Sequence, residues 1–270
     1  MTTTTHDNMS FLEHLEELRW HIIRSLIAII SAGFVCFLMK DFIFDTIIFG
    51  PKKMDFPTYK FLCQAATFIG VETTFCGDEF PFVVQNRTMA GQFSAHVMTS
   101  VIAGFIISFP YVLYEFWKFI SPGLLAKEKS KSRGFIFISS LLFFIGVLFG
   151  YYIICPLSIN FLGTYQVSSE VLNEIDLGSF ISLVRSSAIA SGIIFELPII
   201  IYFLTKAGVV TPKSLVKYRK YALVLVLILA AIITPPDVAS QIIVAIPIVI
   251  LYQVTLEKHL VIYNLMKKVN

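Results

Sequence analysis

Apolar residues gather into six runs along this chain, separated by polar stretches, and their lengths predict membrane-spanning helices. The runs cover about residues 22–39, 96–116, 135–159, 183–204, 221–233 and 238–256. A spanning helix needs about 20 residues at a rise of about 1.5 Å each. The fifth run has room for about 14 residues, roughly 21 Å, against a hydrocarbon core of about 30 Å. Only Thr234-Pro235-Pro236-Asp237 separates it from the sixth. The pair reads as a short hairpin that either thins the bilayer or crosses part of it. The expected fold is an all-α integral membrane protein, one polytopic domain over residues 1–270 with six transmembrane helices.

Composition points the same way. Hydrophobic residues make up 56% of the chain and charged residues 14%, where soluble domains carry about a quarter charged. The net charge of +3 is small and dispersed, which gives no reason to expect nucleic acid. The positions of the charges are more informative. Lys118, Lys127, Lys129, Lys131 and Arg133 follow the second run; Lys206, Lys213, Lys217, Arg219 and Lys220 follow the fourth; Lys258, Lys267 and Lys268 close the chain. Residues 160–181 hold Glu170, Glu174 and Asp176 with no Lys or Arg. The positive-inside rule then places both termini in the cytoplasm. The polar start, with Glu13, Glu16 and Glu17 where a signal peptide would be basic, predicts that the first run is a retained anchor.

The stretch of about residues 41–93 is the one sizeable region outside the runs, and this orientation makes it extracytoplasmic. Cys63 and Cys76 both fall there, in an oxidising compartment, so a disulfide closing that short loop is expected. Cys36 and Cys155 read as apolar filler within or at the end of spans.

Glu196 is an ionisable residue near the middle of the fourth run. Charge near the bilayer centre costs roughly 2.5–3.5 kcal/mol on insertion scales, so such residues are functional candidates by default. The plainer account is a protonated, hydrogen-bonded structural acid. Pro198 follows it closely and frees backbone carbonyls nearby.

At the start of the chain, Ser10-Phe-Leu-Glu13 fits a capping box. Leu12, Leu15, Leu18 and Ile22 form a stripe at helical spacing, with Glu13, Glu17 and Arg24 on another flank. Acids favour helix N-termini, which accounts for Glu13 and Glu16 but less well for Glu17. After the second run, Phe119-Ile-Ser-Pro122-Gly-Leu is a turn signal, and Glu128 is the one acid among basic neighbours. A solvated ion pair with Lys127 or Lys131 is its ordinary explanation. His14 and Glu17 share a helix face without a third ligand, so no metal site is expected. No nucleophile elbow, zincin motif or phosphate loop occurs, and neither an enzyme nor a cofactor is predicted.

Taken in order, four motifs carry a resemblance: His14-Leu-Glu-Glu-Leu-Arg19, Phe119-Ile-Ser-Pro-Gly-Leu with Glu128, Phe195-Glu-Leu-Pro198, and Thr234-Pro-Pro-Asp-Val-Ala-Ser-Gln241. Together they resemble the TatC family of twin-arginine protein translocases over essentially the whole chain. The resemblance implies a concave bundle with short fifth and sixth helices in a bacterial cytoplasmic (inner) membrane. It implies a receptor for folded cargo whose signal peptides carry paired arginines, and self-association. By residue, it implies an arginine-reading site of Glu17 and Glu128, with Phe119 and Arg19 around it and Glu16 as an auxiliary acid. It gives Pro51 a structural role just outside the first span. Glu196, Thr234, Asp237 and Gln241 would form a polar region docking single-span partners of the TatA and TatB types. Bidentate carboxylate pairing favours Arg over Lys, in keeping with that role.

The chain departs from the family pattern in two places. Residues 59–86 look longer than usual, and Trp20 and His21 stand where more basic residues often follow the Arg. Two competing readings remain: a proton-coupled secondary transporter using Glu196, and a passive scaffold. The first calls for inverted repeats, which are not visible here.

Overall fold

The computed structural model describes residues 11–70, 74–77, 79–120, 132–168, 170–206, 219–233, 241–243, 245–250 and 253. The helices are α1 (Phe11–Leu38), α2 (Pro57–Ile69), α3 (Gly91–Ile120), α4 (Ser132–Phe149), α5 (Cys155–Thr164), α6 (Leu177–Phe195), α7 (Leu197–Lys206), α8 (Arg219–Ile233) and α9 (Gln241–Ile250). Two short strands, β1 (Phe82–Gln85) and β2 (Asn173–Asp176), complete the set. Among the described residues, four stretches are long and apolar enough to cross a membrane: Leu15–Leu38, Gly91–Ile120, Gly134–Thr164 and Leu177–Ile201. Helices α8 and α9 are shorter. The chain divides into two compact units, Met1–Lys40 with His96–Leu141, and Asp41–Ala95 with Leu142–Asn270.

In the first unit, α1 and α3 run antiparallel and touch at three heights. His21 meets Glu115 at one end. In the middle, a Cβ on Gly104 would fall 2.6 Å from the Cα of Gly33, so only glycine lets these backbones approach so closely. Toward the other end His96 stacks on Phe37 with ring centroids 4.0 Å apart, and its Nε2 lies 3.1 Å from the Phe37 carbonyl oxygen. The first turn of α4 is fixed by Phe135 against Trp117, at 4.6 Å.

In the second unit, the described residues of the 41–93 stretch carry helices and a short strand. A π-helical segment, Phe42–Ile48, and a tight turn, Gly50–Lys52, lead into α2. Proline at the first position of α2 lacks only an N–H that no helical carbonyl would accept, and Gly70 ends the helix in the left-handed conformation, at φ 77°. Tyr59 is fully buried, and its hydroxyl donates toward the carbonyl oxygens of Pro51 (2.9 Å) and Pro156 (3.0 Å). Burial raises its pKa far above the usual phenol range, so it stays a donor. Tyr151 donates to the Ile47 carbonyl at 2.8 Å. A disulfide joins Cys63 to Cys76 with their Cα atoms 5.1 Å apart.

The small sheet pairs β1 with β2 in parallel, Phe82 opposite Asn173 and Gln85 opposite Asp176. The sequence reading placed no strand in this chain. Each strand is four residues long, and 87 residues separate their ends, too far for local periodicity to register. Arg87 and Glu174 bridge beside the sheet at 2.9 Å.

Two runs differ from their predicted form. The third, read as 135–159, is interrupted by a π-helical segment, Gly150–Ile154, placing Pro156 at the start of α5. The fourth, read as 183–204, begins earlier, because Asp176 caps α6 by accepting from the amides of Gly178 (2.9 Å) and Ser179 (3.3 Å). It also breaks into α6 and α7. The Ser10–Glu13 capping box involves residues outside those whose side chains are described.

Candidate functional site

Helix α1 carries its chemistry on the face turned to α3. Glu17 is half-buried, and its Oε2 is enclosed with no hydrogen-bond partner. One turn on, His21 is buried, with Nδ1 2.6 Å from Oε2 of Glu115 on α3. Glu115 is 2% exposed. Arg24 approaches the same oxygen at 3.8 Å, and the Lys118 ammonium stands 3.7 Å from Oε1. Lys118 also lies over the Tyr114 ring at 4.3 Å, and Phe119 sets an edge against His21 at 6.2 Å. Glu16, Arg19 and Trp20 are exposed.

Two carboxylates on neighbouring helices are thus in different states. Glu115 is surrounded by donors, and burial makes each contact stronger than it would be in water. Glu17 keeps acceptor capacity unused. A carboxylate oxygen enclosed without a donor is costly, and an arriving guanidinium, which offers five donors in a planar fork, would remove that cost. Glu128 and Pro122 lie outside the described residues.

In the second unit Glu196 is 9% exposed and sits in the break between α6 and α7 rather than inside an unbroken helix. Its amide donates to the carbonyls of Ile193 and Ile194, and its own carbonyl accepts from Ile199 (2.9 Å) and Ile200 (3.0 Å). Pro198 falls in the first turn of α7, where its missing N–H breaks no helical bond. Pro51 is fully buried at the foot of Tyr59. Gln241 donates to the Leu227 carbonyl at 3.1 Å, tying α9 to α8. Thr234 and Asp237 lie outside the described residues. Among those that are described, no group of three or more His, Cys, Asp or Glu is arranged to hold a metal.

Sequence reasoning missed two groups. Glu115 stands one residue before the end assigned to the second run, and Arg185 stands near the start of the fourth. Both satisfy the rule that singled out Glu196, that an ionisable residue in a spanning segment needs an explanation. Counting Lys and Arg only between the runs left Arg185 out of view.

Among the described residues, four apolar stretches long enough to cross a membrane, the third and fourth of them interrupted, define a polytopic helical membrane protein. The family model for Sec-independent protein translocase protein (TatC) matches residues 13–247. A Sec-independent protein translocase protein TatC from Blattabacterium sp. subsp. Periplaneta americana is 47% identical over 248 residues, covering 92% of this chain and 93% of that protein. One from Aquifex aeolicus is 34% identical over 251 residues, with coverage of 92% and 93%. A crystal structure of the twin-arginine translocase receptor TatC in the detergent DDM superposes with a TM-score of 0.70 at 32% identity, over 91% of this chain and 99% of that one. The chain belongs to the TatC family of Sec-independent protein translocases. It is therefore a translocase component and not an enzyme, and this membership sets aside the small-solute transporter.

Proposed function

We propose that the chain is the receptor and core subunit of a translocase that exports folded proteins across a bacterial cytoplasmic membrane, reading twin-arginine signal peptides at the cytoplasmic face. Glu17 and Glu128 take the two guanidinium groups, Phe119 supplies the apolar wall, and Arg19 and the auxiliary acid Glu16 shape the local charge. The observation that supports this best is the contrast on the α1–α3 face. The Glu17 Oε2 is enclosed and unpartnered, while neighbouring His21, Arg24 and Lys118 gather on Glu115. His21, Arg24 and Lys118 are thus committed to Glu115, and none of the ion pairs among the described residues involves Glu17.

In this reading both termini are cytoplasmic and the chain makes six passes, the fifth and sixth short. Glu196, Thr234, Asp237 and Gln241 face single-span partners of the TatA and TatB types, and copies of the chain associate with one another. Photo-crosslinking from positions 17 and 128 to a twin-arginine signal peptide tests the site. Glu17→Ala and Glu128→Ala should each lower peptide affinity at least about tenfold, as expected when a charge-assisted pair worth about 1.5–3 kcal/mol is lost. A twin-lysine peptide should bind poorly to the unaltered protein. Undiminished binding in both variants would remove the assignment.

A further inference from the structure

Helix α2 lies mostly within residues 59–86, the stretch whose sequence looks long for the family, and the receptor function proposed above gives it no role. Its residues form three faces, at about 100° per residue around the axis. Tyr59, Cys63 and Ala66 share the side turned to the protein: Tyr59 and Ala66 are buried, and Cys63 is half-buried and bonded to Cys76. Lys60, Gln64 and Thr67 form a second face, polar and exposed along its whole length. Phe61, Ala65, Phe68 and Ile69 form the third. There Phe61, Phe68 and Ile69 are 69%, 93% and 73% exposed, an apolar stripe of about two turns. A helix between protein and water needs one apolar side. One with a second apolar side, set off by a polar strip, has the pattern of a helix lying where protein, water and hydrocarbon meet.

The attachments of α2 identify what covers the stripe. The helix starts against the membrane-crossing stretch Gly134–Thr164. The Thr58 hydroxyl donates to the Tyr152 carbonyl, and that of Tyr59 to the Pro156 carbonyl at 3.0 Å. Phe56, just before the helix, stacks on Tyr152 with ring centroids 5.4 Å apart. Ile145, Leu148 and Tyr152 are themselves exposed and follow one another at helical spacing. They form an apolar line along the outside of that stretch, the surface a bilayer covers, and α2 begins on it. Thirteen residues reach only about 20 Å, too short for a further span. The charge also discriminates between occupants. Lys60 is the one charged residue of α2, so two copies packed stripe to stripe would bring like charges together with no acid to pair them. Lipid phosphates are their complement, and a lysine stem can lie on apolar surface while its ammonium reaches the headgroups. Exposed aromatics belong to the same level of a membrane.

We infer that α2 is an interfacial anchor, lying along the membrane surface with Phe61, Phe68 and Ile69 among the lipid acyl chains and Lys60, Gln64 and Thr67 toward headgroups and water. That this surface is the extracytoplasmic one rests on the orientation proposed above; the contact with lipid does not.

The test uses the full chain in phosphatidylcholine nanodiscs that hold one copy each. Phe61→Trp and Phe68→Trp place a fluorophore on the apolar stripe, and Gln64→Trp places one on the polar strip. Emission is read as the difference from the unaltered protein, in which Trp20 and Trp117 supply the background. Phosphatidylcholine brominated near the headgroup end of its acyl chains should quench the added emission at positions 61 and 68 at least about twice as strongly as that at 64. Iodide in the water should reverse the order. Equal quenching by brominated lipid at all three positions, or iodide reaching 61 and 68 as freely as 64, overturns the proposal. Emission at 61 and 68 that neither quencher reaches would assign the stripe to a protein contact and overturn it as well. All three positions are exposed, so the substitutions leave the packed side of α2 intact.

Discussion

Glu115 and Arg185 are both charges carried into span-forming helices, and the two units of the molecule treat them in opposite ways. In the first unit Glu115 is met by His21 at 2.6 Å, with Arg24 and Lys118 within 3.8 Å. In the second unit Arg185 has two enclosed nitrogens and no acceptor. A buried charge that is fully paired joins the helices that carry it, whereas one left unpaired is a cost in search of a ligand. The exposed pair of Arg87 and Glu174 is a third case, in which water already solvates both partners.

Three substitutions test this comparison. The largest effect should come from Glu115→Ala, which removes the acceptor from His21 and unfastens α1 from α3. A loss of about 2–3 kcal/mol is expected, the scale of a buried charge-assisted contact. Detergent unfolding of the purified protein would show it, and an unchanged midpoint would mean the cluster is incidental. Arg185→Leu should move the same assay the other way, by up to about 2 kcal/mol, since an unpaired charge in a spanning helix is replaced by a residue that the bilayer accepts. A destabilised Arg185→Leu protein would reveal an internal partner and erase the contrast. Arg87→Ala should change stability by no more than about 0.5 kcal/mol. A larger shift would show that the parallel strand pair depends on that bridge.

The sequence made much of this architecture legible, for reasons that particular residues illustrate. Long apolar runs appear as helices because a bilayer leaves the backbone few other ways to satisfy its own polar groups. Pro198 signalled a disturbance near Glu196, although the break that places this acid between two helices emerged only in three dimensions. The pairing of β1 with β2 was hidden because it joins four-residue segments across more than eighty intervening residues. The state of each acid was the least legible feature. Glu17 and Glu115 look alike as letters. They differ because α1 brings His21 and Arg24 to Glu115, beside Lys118 of its own helix, while an oxygen of Glu17 is enclosed without any donor. Arg185 was present in the sequence throughout, but only its lack of a partner made it conspicuous.

The contact of Gly33 with Gly104 has a mechanical consequence. Because the backbones touch there, neither helix can slide past the other without a side chain entering the gap. Glu17 lies sixteen residues along α1 from that contact, roughly 24 Å, and Phe119 lies at a comparable distance along α3. In the receptor reading proposed above, the two residues are the tips of calipers whose joint does not slip, with their spacing tied to a pair of glycines about four helical turns away. On that reading, an added methyl group at the joint should alter which signal peptides the proposed site accepts while leaving Glu17 and Phe119 themselves unchanged.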